Sequence, residues 1–280
     1  MPLNVHAILS HRFKELRQQY TERDAILYAL GLGLGADALD QSDLDYLLET
    51  RGKALPFFAV TMASPGMWMR DPTFGVTFSK LVHSAQEATF HAPLPARAEV
   101  NATPCVAGLY DRGEDRGAVL IVEREIRDAQ SQTLYCTVRQ TLLLRGDGGF
   151  GGNPPPKLTS APIPNRTADN TYDVRTSTRA ALIYRLSGDW NPLHADPEFA
   201  KTAGFEKPIL HGLASYGIAG RGLMKAYNCS ISFLRCQFSG IVFPGDSITF
   251  KTWDGGGNIA FEAFVGDRKV LANGLAEKGV

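Results

Sequence analysis

From Arg145 to Asn170 the chain reads RGDGGFGGNPPPKLTSAPIPNRTADN, with five glycines, five prolines and little apolar periodicity. Proline removes a backbone donor and glycine raises the entropic cost of order, so neither a helix nor a strand is expected there. The stretch reads as a linker crossing a surface. It divides the 280 residues into a first half, 1–150, a linker, 151–170, and a second half, 171–280. Each half has the size of an ordinary domain.

The halves echo one another. YALGLG starts at Tyr28 and YRLSGD at Tyr184. FHAPLPARAEV starts at Phe90 and FSGIVFPGDSITF at Phe238, each a proline-bearing loop that leads into a strand. A strand, polar turn and strand then follow in both, from Gly117 and from Gly257. Three shared segments in one order indicate an internal duplication.

Local patterns fill in the second half. TYDV reads as a short strand, and Thr178 can cap a helix through Leu186. PEFAKTAG reads as a short helix stopped by Gly204. Gly212 to Tyr227, GLASYGIAGRGLMKAY, reads as a longer helix. Its Gly217, Gly220 and Gly222 would be costly in solvent and make sense if a sheet wraps closely around it. SISFLRCQFSG, SITFKTW, NIAFEAFVG and KVLANGLAE follow as strands. One buried helix with an antiparallel sheet is an α+β layout. The first half carries the strands ATFHAP, RAEVNATPCV, AVLIVEREI and LYCTVRQTLLL. Its counterpart of the long helix, ASPGMWMRDPTFGV, is broken by Pro65 and Pro72.

Composition removes several functions. Lys plus Arg and Asp plus Glu are 29 each, so there is no basic excess for nucleic acid or an anionic membrane. Cys105, Cys136, Cys229 and Cys236 form no C-x-x-C pair and read as reduced core residues. The N-terminal MPLNVHAILSHRFKEL has no signal pattern, no apolar run is long enough to span a bilayer, and AEKGV is no peroxisomal address. A soluble, cytoplasmic protein is the expectation.

The chemistry concentrates between Tyr184 and Gly212. YRLSGDWNPLHADP places Asp189, Asn191 and His194 on a segment that Gly188 and Pro192 keep out of regular helix. A carboxylate and an imidazole turned into one cleft can share a water and move protons both ways near neutral pH. Asn191 can hold that water without competing for protons, although a D-x-N run also suits plain turn capping. Gly212 opens the long helix, so its N–H is unused by helical bonding and carries partial positive charge. With no side chain in the way, that amide can serve as an oxyanion hole. His211 reads as a satisfied polar core residue. A zinc site from His194, Asp196 and His211 has no H-x-x-x-H spacing, and Asp196 before Pro197 reads as a helix cap, so no metal is expected. Ser187 and Ser215 lie outside any G-x-S-x-G, and neither a P-loop nor a dinucleotide fingerprint occurs.

At these residues the sequence resembles the MaoC-like type-2 enoyl-CoA hydratases. Tyr184, Ser187, Gly188, Asp189, Asn191, Pro192, Leu193, His194 and Ala200 occupy the family's pattern, with HGLASYG following. RDAILYALGLG, LVHSAQ, APLP and GGFGG extend the likeness through the first half, as in the family's double-domain members. The resemblance implies two tandem hotdog domains, each a long helix wrapped by antiparallel sheet, forming a pseudo-dimer in one chain. It implies reversible syn addition of water to a trans-2-enoyl-CoA thioester, giving the (3R)-3-hydroxyacyl-CoA. By position, Asp189 and His194 would be the acid–base pair, Asn191 would assist, and the Gly212 N–H would bind the thioester oxygen. No cofactor or metal is implied.

The first half has no Asp, Asn or His at the positions of the motif, so it is expected to supply pocket wall. HSAQ, His83 to Gln86, departs from the glycine-containing form expected in relatives, and His83 and Gln86 read as ordinary strand residues. Coenzyme A phosphates call for basic groups at the rim, with Arg179, Arg185, Lys207, Arg221 and Arg235 in the right half. A dehydratase for another acyl thioester and a non-catalytic acyl-CoA-binding protein are the alternatives; a pure binder has no need of the Asp–Asn–His set. A monomer or a homodimer suits a double hotdog.

Overall fold

The computed structural model describes residues 2–156 and 162–279; within the expected linker, 157–161 lie outside the described residues. The first half contains α1 (Val5–Ser10), β1 (Leu16–Tyr20), α2 (Glu22–Gly31), β2 (Leu81–Phe90), β3 (Ala98–Ala102), β4 (Cys105–Asp111), β5 (Ala118–Asp128) and β6 (Leu134–Leu144). The second contains β7 (Asn170–Arg175), α3 (Ala180–Tyr184), α4 (Pro197–Thr202), α5 (Gly212–Tyr227), β8 (Ile231–Phe238), β9 (Ser247–Asp254), β10 (Asn258–Val265) and β11 (Arg268–Lys278).

All these strands join one antiparallel sheet, in the order β1-β3-β5-β6-β2-β8-β11-β10-β9-β7, with β4 beside β5. The order is nearly a palindrome. Each half runs outward from one central strand, and β2 and β8 pair across the middle from Ala85–Gln237 to Thr89–Phe233. The architecture is a double hotdog, a pseudo-dimer within one chain. The echoing segments also meet. Gly31 in α2 lies so close to α3 that an added Cβ would stand 3.1 Å from the Cα of Tyr184. The Tyr28 and Tyr184 rings pack 5.6 Å apart, both fully buried.

Helix α5 spans the predicted residues, but its glycines meet neighbours other than a wrapping sheet. A Cβ on Gly217 would lie 2.6 Å from the Tyr28 hydroxyl, and one on Gly220 would lie 2.3 Å from Phe57. Both partners belong to the first half. Gly222 faces a strand of its own half through Tyr172 of β7, as Gly212 at the helix start does through Phe238 of β8. In the first half the broken segment forms short 3-10 turns at Trp68–Arg70 and Pro72–Phe74. Another 3-10 segment, Pro56–Thr61, carries Phe57 and Phe58 into the shared core.

Several local expectations need correction. Thr178 does not cap α3; the Ser177 hydroxyl receives the Arg179 amide, and the helix gives way to a 3-10 turn at Arg185–Ser187. RAEVNATPCV splits into β3 and β4 around Pro104, which offers no ladder donor. Strand β7 begins at Asn170, the last residue assigned to the linker. Cys136 and Cys236 are core residues, whereas Cys105 is exposed; all four thiols are free. Among the described residues, no helix is long and apolar enough to cross a membrane.

Candidate active site

Two turns and the start of α5 build the site. Gly188, at φ +113°, reverses the chain after the 3-10 turn, a conformation that a side chain would strain. Asp189 then accepts the Asn191 amide on Oδ1 at 3.2 Å. Asn191 in turn caps a 3-10 helix, Pro192–His194, accepting the Leu193 amide on its side-chain oxygen at 3.1 Å. The D-x-N run is therefore a pair of turn caps. Those caps aim His194 inward, where it is 8% exposed.

Asp189, His194 and His211 offer carboxylate and imidazole atoms that all lie within 4.8 Å of one another. The ring tautomers follow from the carbonyls they face. A carbonyl only accepts, so His194 Nδ1–H donates to the Ile209 oxygen at 2.9 Å, leaving Nε2 bare. Likewise His211 Nε2–H donates to the backbone oxygen of Asp189 at 3.3 Å. His211 Nδ1 is then a bare buried acceptor without a partner among the described residues. Burial lowers the His194 pKa; its bond to Ile209 and the nearby Asp189 carboxylate pull the other way, and Arg185 adds to the lowering. Burial, then the charge of His194, brings His211 down to about 3. Both rings are therefore neutral near pH 7, and His194 presents a lone pair suited to accepting a proton.

His211 belongs to this cluster, a role the sequence reading missed. It is 1% exposed and stacks on His194 with ring centroids 3.7 Å apart and planes tilted by 25°. Its other face meets Tyr184 at 4.9 Å. The available signal was its place before Gly212, since the cap of α5 must lie beside whatever that helix start serves. Near-parallel rings aim their in-plane lone pairs side by side and not at one point. An ion meets an imidazole in its ring plane, so two rings stacked at 3.7 Å are a poor arrangement for ligands of one metal, close though the three donor groups are. Asp196 is turned away and caps α4 through the Glu198 and Phe199 amides.

Gly212 is the first residue of α5, next to His211. The Ala214 and Ser215 amides bond to the His211 carbonyl, which leaves the Gly212 amide outside the helix's own bonding. Phe238 lies against Gly212, where an added Cβ would stand 3.3 Å from the ring. Behind Phe238 is His83, its ring edge-on at 5.1 Å, so β2 of the first half reaches the site. A cleft of about 140 Å³ opens beside Gly188, lined from both halves by residues including Tyr20, Phe58 and Leu186.

The rim candidates separate. Arg221 turns inward to Asp43 at 2.7 Å and to Ser42, and Arg235 is 5% exposed beside Glu87, so neither forms a rim. Arg179 and Lys207 are exposed. Arg185 lies 4.7 Å over the ring of Trp190, an exposed indole between Asp189 and Asn191. Gln86 is fully buried and donates to the carbonyls of Glu87 and Arg139.

Comparison with known proteins finds similarity along both halves. The MaoC like domain profile matches residues 159–274, and the MFE-2 hydratase 2 N-terminal domain profile matches 18–146. The chain is 35% identical to "Enoyl-CoA hydratase 2, peroxisomal" of Arabidopsis thaliana, over 99% of this chain and 96% of the relative. It is 38% identical to "3-hydroxyacyl-thioester dehydratase Y" of Mycobacterium tuberculosis, over 84% and 82% of the two chains. The crystal structure of a MaoC-like dehydratase from Phytophthora capsici superposes with a TM-score of 0.82 at 27% identity, covering 99% of each chain.

Proposed function

The chain belongs to the MaoC-like hydratase 2 family, and on that premise we propose that it is an (R)-specific enoyl-CoA hydratase. It is a hydro-lyase that adds water reversibly and syn across the double bond of a trans-2-enoyl-CoA, giving a (3R)-3-hydroxyacyl-CoA. The observation that carries this reading is the meeting of the Asp189 carboxylate with a neutral, bare-nitrogen His194 beside the start of α5.

The chemistry follows from those groups. A water held between Asp189 and His194 delivers its oxygen to the β-carbon as His194 Nε2 takes up a proton. The electron pair of the double bond moves toward the thioester oxygen, and the Gly212 N–H, at a positive helix end, stabilises that charge. The acid–base pair then returns one proton to the α-carbon, so water's atoms are all accounted for. Delivery of both from one face accounts for syn addition. Asn191 keeps its amide N–H groups for the water, its oxygen being spent on the cap. Arg185 over Trp190 is the basic group best placed for the coenzyme arm.

In the same reading residues 171–280 carry the chemistry, residues 1–150 supply pocket wall, and 151–170 connect them. The proposed assembly is a monomer or homodimer, which light scattering distinguishes. The proposed compartment is the cytoplasm, although the Arabidopsis relative is named peroxisomal; cell fractionation decides.

The test is loss of the conjugated thioester absorbance of crotonyl-CoA or a longer enoyl-CoA with purified protein. Asp189→Asn and His194→Ala should each lower kcat by roughly 10²- to 10⁴-fold. Unchanged turnover in either variant removes the acid–base assignment, and a (3S) product removes the stereochemical one.

A further inference from the structure

Arg124 is a charged residue inside the core of the first half. It sits in β5, 2% exposed, and its side chain points into the core. Nε donates to the Met62 carbonyl at 3.0 Å, and Nη2 donates to the Val60 carbonyl at 2.6 Å. Among the described residues, Nη1 is buried with no partner. Two neutral carbonyls satisfy two donors but do not balance the charge. The carboxylates nearest in sequence cannot do so either. Glu123 and Glu125 alternate to the outer face of the sheet, where they pair with Arg139 and Arg127. Burial lowers the Arg124 pKa only to about 10, so the group stays charged at neutral pH. A buried guanidinium with no anion is expensive to keep.

The position of Arg124 links it to the reaction site. Strand register sets it opposite Val138 of β6, which lies opposite Ala88 of β2, all on the inward face. From Ala88 the inward face of β2 runs through the fully buried Gln86 and a register break to His83, which touches Phe238, the ring against Gly212. The His83 imidazole, held at about 4 chiefly by burial, is raised by the charge of Asp189 and lowered by that of Arg124. An acyl chain whose carbonyl rests on Gly212 and which runs along β2 thus leads toward Arg124. On that route the first half has a short 3-10 segment, Pro56–Thr61, where the second half has the sixteen-residue α5. The core there is close-packed, so the chain must part side chains as it enters.

We propose that Arg124 binds a carboxylate at the far end of the acyl chain, making ω-carboxy (dicarboxylic) trans-2-enoyl-CoA thioesters the preferred substrates; this rests on the hydratase reading above. The free Nη1 N–H pair, with the second N–H of Nη2, forms the fork that a carboxylate accepts in bidentate fashion. Recognition replaces the missing counter-charge, and the carbonyls of Val60 and Met62 hold the fork in place.

The experiment compares trans-2-enoyl-CoA pairs of equal carbon number, one ending in a methyl group and the other in a carboxylate, across a series of chain lengths. The readout is the ratio of the two kcat/KM values within each protein, which cancels any general loss of fold or activity. Wild type should prefer the carboxylate by roughly ten- to hundredfold at one range of lengths, mainly through KM. Arg124→Met should reverse that ratio, and Arg124→Lys should retain part of it. Equal kcat/KM for both ends at every length, or a preference that survives in Arg124→Met, overturns this proposal and leaves the hydratase reading standing. Turnover of neither thioester, nor of crotonyl-CoA, overturns both.

Discussion

Replacing Gly220 by alanine tests whether the two halves share one core through α5. The added Cβ would lie 2.3, 2.4 and 2.6 Å from three ring atoms of Phe57. Ordinary carbon contacts are about 3.5–4.0 Å, so the ring must retreat by more than about 1 Å. It has nowhere to go. Phe57 is fully buried and packs edge-on against Phe90 at 5.4 Å and Tyr216 at 6.3 Å. Overpacking of this kind costs about 1–3 kcal/mol, while alanine returns up to about 1 kcal/mol of helix propensity. The expected net loss is about 1–2 kcal/mol, read by urea unfolding, with Tm lower by a few degrees for a chain of this size. Phe57→Leu should relieve part of the clash, so the double variant should be more stable than the two single losses added together. A Gly220→Ala protein as stable as wild type would refute the placement of Phe57 on α5, and with it the argument that the helix's glycines serve contacts between halves.

At Gly212 the same change should do the opposite. The nearest atoms to an added Cβ are those of the Phe238 ring, at 3.3 Å, so stability should move by less than about 1 kcal/mol, while kcat falls roughly 10²-fold as the thioester oxygen is held off the amide. Urea melts and enoyl-CoA turnover on one preparation separate the two effects. The pH profile of kcat/KM should fall on the acid side below the ordinary imidazole pKa of about 6.5, because His194 must be neutral and its pKa is lowered. Stability should fall over the same range. The unfolded chain binds protons that His211 and His83 refuse until about 3 and about 4, so each can remove up to about 1.4 kcal/mol per pH unit below 6.5. A flat stability between pH 7 and about 5 in urea titrations would contradict their burial. Asp43→Ala should cost about 3 kcal/mol, since it strands Arg221 and also frees the Gly35 amide.

Much of this protein was legible one segment at a time. Most strands of both halves, the span of α5, and the turn-rich stretch that carries Asp189, Asn191 and His194 in one half only follow from period, caps and turn chemistry acting over a few residues. Asn191 shows the limit of such reading. Both the turn-capping role and the site role were visible, and the fold uses its oxygen for the first. β1 and α2 went unassigned: LRQQY carries little strand signal of its own, whereas the capping box of Thr21 and Asp24 that opens α2 was a local signal left unread; β3 pairs with the one and α3 packs on the other.

By itself the sequence determined which groups could react: an acid, an imidazole and a bare helix start within one short stretch. Tertiary structure alone decided that His211 stacks on His194, that Arg221 turns inward, that glycines in one half receive rings from the other, and that Arg124 lies in the first half's core bonded to the carbonyls of Val60 and Met62. The physical reason is range. Backbone preference and capping act between neighbours in sequence, whereas burial, stacking and charge pairing depend on which distant surfaces the β2–β8 seam brings together.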